Sequence, residues 1–534
     1  MRLIATSTLT AGRWARRRLS PEHGFTMVMA LGVMLVTSLL LTAVFFALQG
    51  EIQSGRTDLA AKRAYAAATA GVNAYLYQLN QNPNYWNTCA NDIQSTPVSV
   101  PGSSDGASYT YAPIYANGNT SCTGNVINSM IDNTTGTIRM LFTGTAGTRP
   151  VVTRAIVVSF RMNSPLDFLW YTHFESVDDG IPGYSACGVF YRNGRSSSCN
   201  IVWVSADVMN GPAYTDDQYL INTSASPTFG RYSNDKIESS APGTQQKDVC
   251  SGSNCQNANF VGNRVENAKP IPTPSDNSEL LTDAQNYGKV FTGTTNISLN
   301  GVTNTATVTS CVSATSCTTY PSFSLSQYPI LYVSNASGCT PPAYTPFNVT
   351  YPMDTSNNYH VGCAGDVYVS GSYNTPLTIG AANNVVIDGN LTTSADGSGN
   401  PTGSATLGLV ANEFVRVMHG INGSDSSSGC STTNNNALSL SNPTIDAAIL
   451  ALNHSFIVDN YNCGAGLGQL TVHGAIAQYF RGPVGTVASG GGVATGYAKN
   501  YNYDDRLANI LPPYLFDISN AGWHVSRETV CVAG

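Results

Sequence analysis

The sequence predicts a mainly β chain carried on one long N-terminal α-helix. Three observations predict it. Residues 25–50 form an apolar run without a single charge, and an alanine-rich, proline-free stretch continues it to residue 81. Beyond residue 105 the chain alternates apolar and polar positions between Gly- and Asn-containing corners, the period-2 pattern of strands. Charged residues are only 11% of the chain, against about 25% in ordinary domains. Gly, Asn, Ser and Thr fill the surface instead, as in exported β-rich proteins.

The helix comes first. An apolar run from Phe25 to Gly50 exceeds the ~20 residues needed to cross a bilayer. Arg13, Arg16, Arg17 and Arg18 flank its N-terminal side and hold that end in the cytoplasm, with the bulk of the chain outside. A cleaved secretory signal would have an apolar core of only ~7–15 residues and a small-x-small site; this run ends FALQGE. Past the membrane, Val72, Tyr75, Leu76 and Leu79 recur at helical spacing. One helix from about Phe25 to Leu79 would be ~80 Å long. Asn82-Pro83-Asn84 ends it.

Residues 105–162 read as an antiparallel meander, with β-branched and aromatic runs broken at Gly-containing turns. From about 165 short apolar triplets recur at 367–371, 376–380, 385–391, 407–420, 445–460 and 469–480, each beside an Asn or Gly corner. Asn384, Asn412 and Asn453 stand just ahead of such triplets. One coil of a parallel β-helix is ~20–25 residues with this grammar and buries its apolar face only by stacking. The expectation is a C-terminal right-handed parallel β-helix-like region, with 420–442 as an inserted surface loop; a β-sandwich would alternate similarly.

The Gly24-Phe25 junction resembles the class III signal of type IV pilins and type II secretion pseudopilins. The resemblance implies that a prepilin peptidase cuts after Gly24 and methylates Phe25, and that the helix then passes from membrane to filament core. It divides the chain into a leader (1–24), a transmembrane and spine helix (25–84), a pilin-like α+β head (85–164) and a β-rich extracellular region (165–534). The run AAATAG resembles the equivalent stretch of PilX-type minor pilins. So do MNGPAYTDDQYLI with SPTFGR, and FRGPVGT with GYAKNYNYDDRLANILPPYLFD. Two features depart from the family pattern: the leader is long, and Met29 stands where mature position five normally carries Glu. That Glu is thought to neutralise a neighbour's N-terminal amine, since an unpaired buried charge is costly. Its absence is typical of the large minor subunit at the filament tip.

Five hundred and thirty-four residues suggest two to four structural units. The formal net charge is −7, and the leader carries +4 of it, leaving the remainder near −11. Nucleic acid and anionic lipid are therefore not expected as partners of the exported part. All 13 cysteines follow the membrane segment and read as disulfides in an oxidising compartment. Cys187/Cys199, Cys250/Cys255 and Cys311/Cys317 bracket short loops and are the candidate local pairs; the odd count leaves one cysteine over. Without C-x-x-C or His ligand spacing, no metal is expected, and no cofactor either.

Parallel β-helices include polysaccharide-active enzymes, so carboxylates were weighed. Asp178-Asp179, Asp216-Asp217 and Asp504-Asp505 are adjacent pairs, and adjacent strand residues face opposite ways, a poor dyad for glycoside hydrolysis. Asp388 in IDGN reads as a turn residue, and Asp446 and Asp459 lie beside the expected coils. SADGSGNPTG (394–403) lacks EF-hand spacing. The expectation is a non-enzymatic pilin- or pseudopilin-like subunit. Its partners would be other pilins, prepilin peptidase, the cytoplasmic membrane before assembly, and a surface glycan or protein afterwards. The alternatives are a membrane-anchored surface protein outside any filament and a β-helix enzyme.

Overall fold

In the computed structural model of the chain, residues 25–531 are described apart from 83, 104–105, 123–125, 133–134, 223–224, 242–247, 251–257, 348, 350–352, 355–358, 422–438, 489–492 and 516–521. One helix, Phe25–Gln81, spans 57 residues. Its first half stands clear of the chain: every residue from 27 to 59 is exposed. Its second half lays Ala64, Ala68, Val72, Tyr75 and Leu79 on a sheet and buries them. They meet Ile138, Met140, Phe142, Ile156, Val158 and Phe160, the alternate inward positions of two strands. Small residues set the approach. A Cβ at Gly144 would collide with the helix backbone at Ala64 and Ala68, and one at Gly71 would meet Tyr109 at 2.8 Å.

The sheet has five antiparallel strands in the order Gln94–Ser99, Ser108–Pro113, Ile138–Ala146, Val152–Met162 and Trp523–Cys531. The last strand corrects the division at 165, because the head is completed from the far end of the chain. Trp523 pairs with Met162 and Cys531 with Ala155, and the Trp523 ring meets Trp86 edge-on at 6.5 Å. Residues 165–522 are thus an insertion between two neighbouring strands. Entry and exit touch: the Asn163 N–H donates to the Gly522 carbonyl at 3.0 Å.

The insertion is built of stacked parallel ladders. One ladder contains, in spatial order, Lys289–Thr292, Ile330–Ser334, Leu377–Ala381, Leu407–Ala411, Thr444–Ala451, Gly466–Phe480, Trp170–Phe174, Ala213–Thr215, Lys236–Ser239 and Asn263–Glu266. A second stacks Thr294–Asn300, Val367–Ser372, Val385–Thr392, Val415–Val417 and Phe456–Val458. A third joins Gly466–Phe480 to Val493–Tyr503, Val208–Asn210, Thr228–Phe229 and Asn259–Phe260. Their apolar triplets face a continuous core of Val, Ile, Leu and Ala. Asp388, expected in a turn, lies inside the strand Val385–Thr392.

Spatial order is not chain order. Coils formed by 170–266 continue the stack that 289–480 begins, so the latest coil of the later segment abuts the first coil of the earlier one. The chain returns from one end of the stack to the other through 267–288, which includes the helix Ser278–Tyr287. That return crosses the outer face of the first ladder. Tyr171 Oη donates to the Ile271 carbonyl (2.7 Å), Asn277 Nδ2 to the Ala381 carbonyl (2.9 Å), and Tyr332 Oη to Asn277 Oδ1 (2.7 Å). Strands such as Leu377–Ala381 and Leu407–Ala411 are buried at every position, as parallel strands covered on both faces are.

Candidate functional site: the bare helix and the seam between coils

Sequence alone shapes the exposed half of the helix. Over 27–50 the hydroxyls satisfy themselves along the helix: Thr37 Oγ1 donates to the Val33 carbonyl (2.8 Å), Thr42 Oγ1 to Ser38 (2.6 Å) and Ser38 Oγ to Leu35 (3.0 Å). These three need no water, which suits an apolar medium. Leu31, Leu35, Leu39, Leu41, Phe45 and Phe46 are all more than half exposed, a patch far beyond what a soluble monomer shows. Met29 is 62% exposed, and the first turn carries no acid. Gly24 lies outside the described residues, and of Phe25 only its place at the start of the helix is described.

The second feature is the seam where the two runs of coils meet. Arg481 reaches across it to Glu175 at 3.0 Å, with both side chains fully buried. Glu175 also accepts from Trp170 Nε1 (2.8 Å), Thr172 Oγ1 (2.7 Å) and Trp203 Nε1 (3.2 Å). The Arg481 guanidinium lies 3.9 Å from the centre of the Trp203 ring, a cation–π contact without water. Lys499 pairs with Asp207 at 2.7 Å. Burial pushes its ammonium below the usual range, with Asp207 opposing and Arg481 adding to the shift. Arg231 binds Asp505 at 2.9 Å, and Asn210 and Asn502 bridge at 2.9 Å. The phrases MNGPAYTDDQ, SPTFGR, FRGP and YDDR, scattered in sequence, are the two sides of this seam.

At its edge sits a histidine relay. His454 Nδ1 meets Asp178 Oδ1 at 2.9 Å and Nε2 meets Glu413 Oε2 at 2.9 Å, while Ser455 Oγ donates to Asp178 Oδ2 at 2.8 Å. Phe414 stacks on the imidazole at 4.3 Å. Burial alone would lower the His454 pKa, but hydrogen bonds and charge from Asp178 and Glu413 outweigh it and push it up to about 9. Burial, then the charge of Asp178, raises neighbouring Asp179. His454 therefore holds its proton at neutral pH, which suits a clamp better than an acid–base catalyst.

Most of the other candidate carboxylates pair with a histidine or an arginine. Asp216 takes His173 Nδ1 at 2.8 Å while Asp217 turns to the buried Arg195; the two lie in a bend just after the strand Ala213–Thr215, not within it. Asp446 holds His473 Nδ1 at 2.9 Å, Asp459 holds Arg416 through two bonds (2.9 and 3.0 Å), and Asp504 holds Arg506 at 2.7 Å. Asp388 is raised, chiefly by burial. In 394–403, Asp396 Oδ1 accepts from the Ser398 and Asn400 backbones and closes a tight turn.

Of the candidate cysteine pairs, Cys187–Cys199 and Cys311–Cys317 are disulfides; Cys255 lies outside the described residues, and the pairing of Cys250 with it. Cys89–Cys122 and Cys339–Cys363 are bonded too. Their longer loops give no local signal of pairing. Cys531, on the C-terminal strand, is free.

No protein-family model matches the chain, and no curated protein matches it. Among solved structures, the chain is similar to the competence-associated pilin ComZ from Thermus thermophilus, with 14% identity over 90% of this chain and 99% of that one, and a TM-score of 0.30. The chain itself is mainly β and carries one long N-terminal helix.

Proposed function

We propose that this chain is a large minor subunit of a type IV pilus or a secretion pseudopilus. In this reading it is processed after Gly24, held through its helix among other pilins, and carries a β-helix-like region outward at or near the filament tip. One observation carries it: a single helix is bare over 27–59 and free of charge as far as Gly50, yet its continuation is laid on an antiparallel sheet. A helix that only anchored a protein would have no reason to run unbroken into a globular core. The bare half needs a bilayer before assembly and neighbouring helices after it.

Intact-mass and N-terminal analysis of the protein from its native membrane tests the processing step. Methylated Phe25 as first residue supports it; an N-terminus at Met1 overturns it. Sheared filaments tested for the protein then separate the filament subunit from a membrane-anchored surface protein. The β-helix enzyme is the weaker alternative, because Asp178, Asp216, Asp217, Asp446, Asp459, Asp504 and Asp505 each hold a histidine or arginine of the framework.

A further inference from the structure

We propose that Lys499 and Asp207 condense to an amide, a cross-link within the chain that locks the seam between the two runs of coils. Lys499 stands on the strand Val493–Tyr503 and Asp207 just ahead of the strand Val208–Asn210. Asn500 pairs with Val208 in that parallel ladder, so the two side chains are cross-strand neighbours. Lys499 Nζ meets Asp207 Oδ1 at 2.7 Å, with the side chains 13% and 5% exposed. The backbone around Asp207 is fixed: its N–H donates to the Val204 carbonyl (2.9 Å) and its carbonyl accepts from the Thr228 N–H (3.2 Å). Groups oriented in this way within one molecule reach effective concentrations of about 10⁵–10⁸ M. Lys236 lacks these conditions, since it stands 3.7 Å from Glu238 with its side chain 66% exposed.

The surroundings favour the amide over the ion pair. Burial holds the Lys499 ammonium below its usual range, with Asp207 opposing that shift and Arg481 adding to it. The buried Trp203 ring has its centre 5.4 Å from Nζ. Two charges are thus kept from water at a cost that condensation removes. The Val204 N–H donates to Asp207 Oδ2 at 3.0 Å, where negative charge develops as nitrogen adds to Cγ. In the step, the ammonium passes one proton to Oδ1 and the neutral nitrogen attacks Cγ, forming the C–N bond. A second nitrogen proton then moves to Oδ1, the Cγ–Oδ1 bond breaks, and water leaves. Both hydrogens of that water come from the ammonium, so no other reactant is needed. A cavity of about 80 Å³, walled by Asp207, Lys499, Val202 and Pro483 among others, has room to receive it.

The link would join residues 292 positions apart and, like a disulfide, constrain the unfolded chain. It does not depend on filament entry. The test is peptide mapping by mass spectrometry of the full chain, purified in detergent micelles, with its disulfides reduced and capped. Expected in most molecules is a linked pair of peptides carrying Asp207 and Lys499, lighter by one water than the two together. Trypsin should fail to cut after Lys499 in that species. Lys499→Arg keeps the cation but presents a guanidinium in place of the amine, and the linked species should be lost from it; thermal melting checks that it folds. Recovery of Lys499 with a free amine in most wild-type molecules overturns the proposal, whatever the variant does. So does a linked species that persists in Lys499→Arg or that maps to other residues.

Discussion

Glu175 and Arg481, 306 positions apart in the chain, form an ion pair at 3.0 Å from which water is wholly excluded. It joins the first coil of one run to the last coil of the other. Arg481→Ala would leave a carboxylate buried among Trp170, Trp203 and Thr172, and breaking such a pair costs about 3–5 kcal/mol. Asp505→Ala removes only the outer partner of Arg231, an acid that is 71% exposed, and should cost about 1 kcal/mol or less. Urea unfolding of both variants checks the contrast; equal losses would remove the seam's claim to be the insertion's main fastening.

His454 predicts a pH dependence. Its folded pKa, about 9, lies above the unfolded value of 6.5. The stability it contributes is therefore complete below about pH 6.5 and is lost as the pH rises through about 9. The protonated ring faces Asp178, Glu413 and Asp179. His454→Gln should flatten the stability profile over that window, a difference on the order of 2–3 kcal/mol. Parallel profiles of variant and wild type would show that the relay does not bind the seam.

Asp92 gives the same sign for the opposite reason, since burial favours its neutral form. It is 1% exposed, accepts from Tyr75 Oη at 2.6 Å, and leaves its second oxygen without a partner. Burial raises its pKa to about 7, despite the Tyr75 hydrogen bond. Folding thus favours the neutral acid, and stability falls as the pH rises from about 4 to 7. Asp92→Asn keeps the acceptor without the charge. At pH 8 it should be more stable than wild type by about 1–3 kcal/mol, and nearly equal to it at pH 3. Thermal melts at the two pH values decide it.

Met29 should confine the subunit to a place with no neighbour ahead of it. An adjacent subunit's terminal ammonium would otherwise be buried unpaired. Immunogold directed at the coils should mark filament ends, and Met29→Glu should spread label along the shaft. Wild-type label distributed evenly along filaments would rule out the tip position.

What sequence could reveal followed the range of its signals. Uniform apolarity and alanine content marked the helix to within two residues of Gln81. Period-2 triplets marked Val367–Ser372, Val385–Thr392 and Thr444–Ala451 because each strand faces its own core. The pairing of Gly466–Phe480 with Trp170–Phe174 was invisible, since the two share no local pattern and meet only in three dimensions. For the same reason Trp523–Cys531 was assigned with the rest of 165–534 to the β-rich region. The relay at His454 was hidden too: its carboxylates lie 276 residues away at Asp178 and on the neighbouring coil at Glu413, and neither spacing is a motif.

The 3.0 Å contact between Asn163 and Gly522 makes the coils a graft rather than a domain in series. Stock and scion share one cut, at the end of two adjoining strands. Coils could be added, shortened or exchanged there without altering the helix or the sheet it lies on. One platform of helix and sheet could then carry insertions of very different size, with selection on the inserted part free to act while the platform stays constrained.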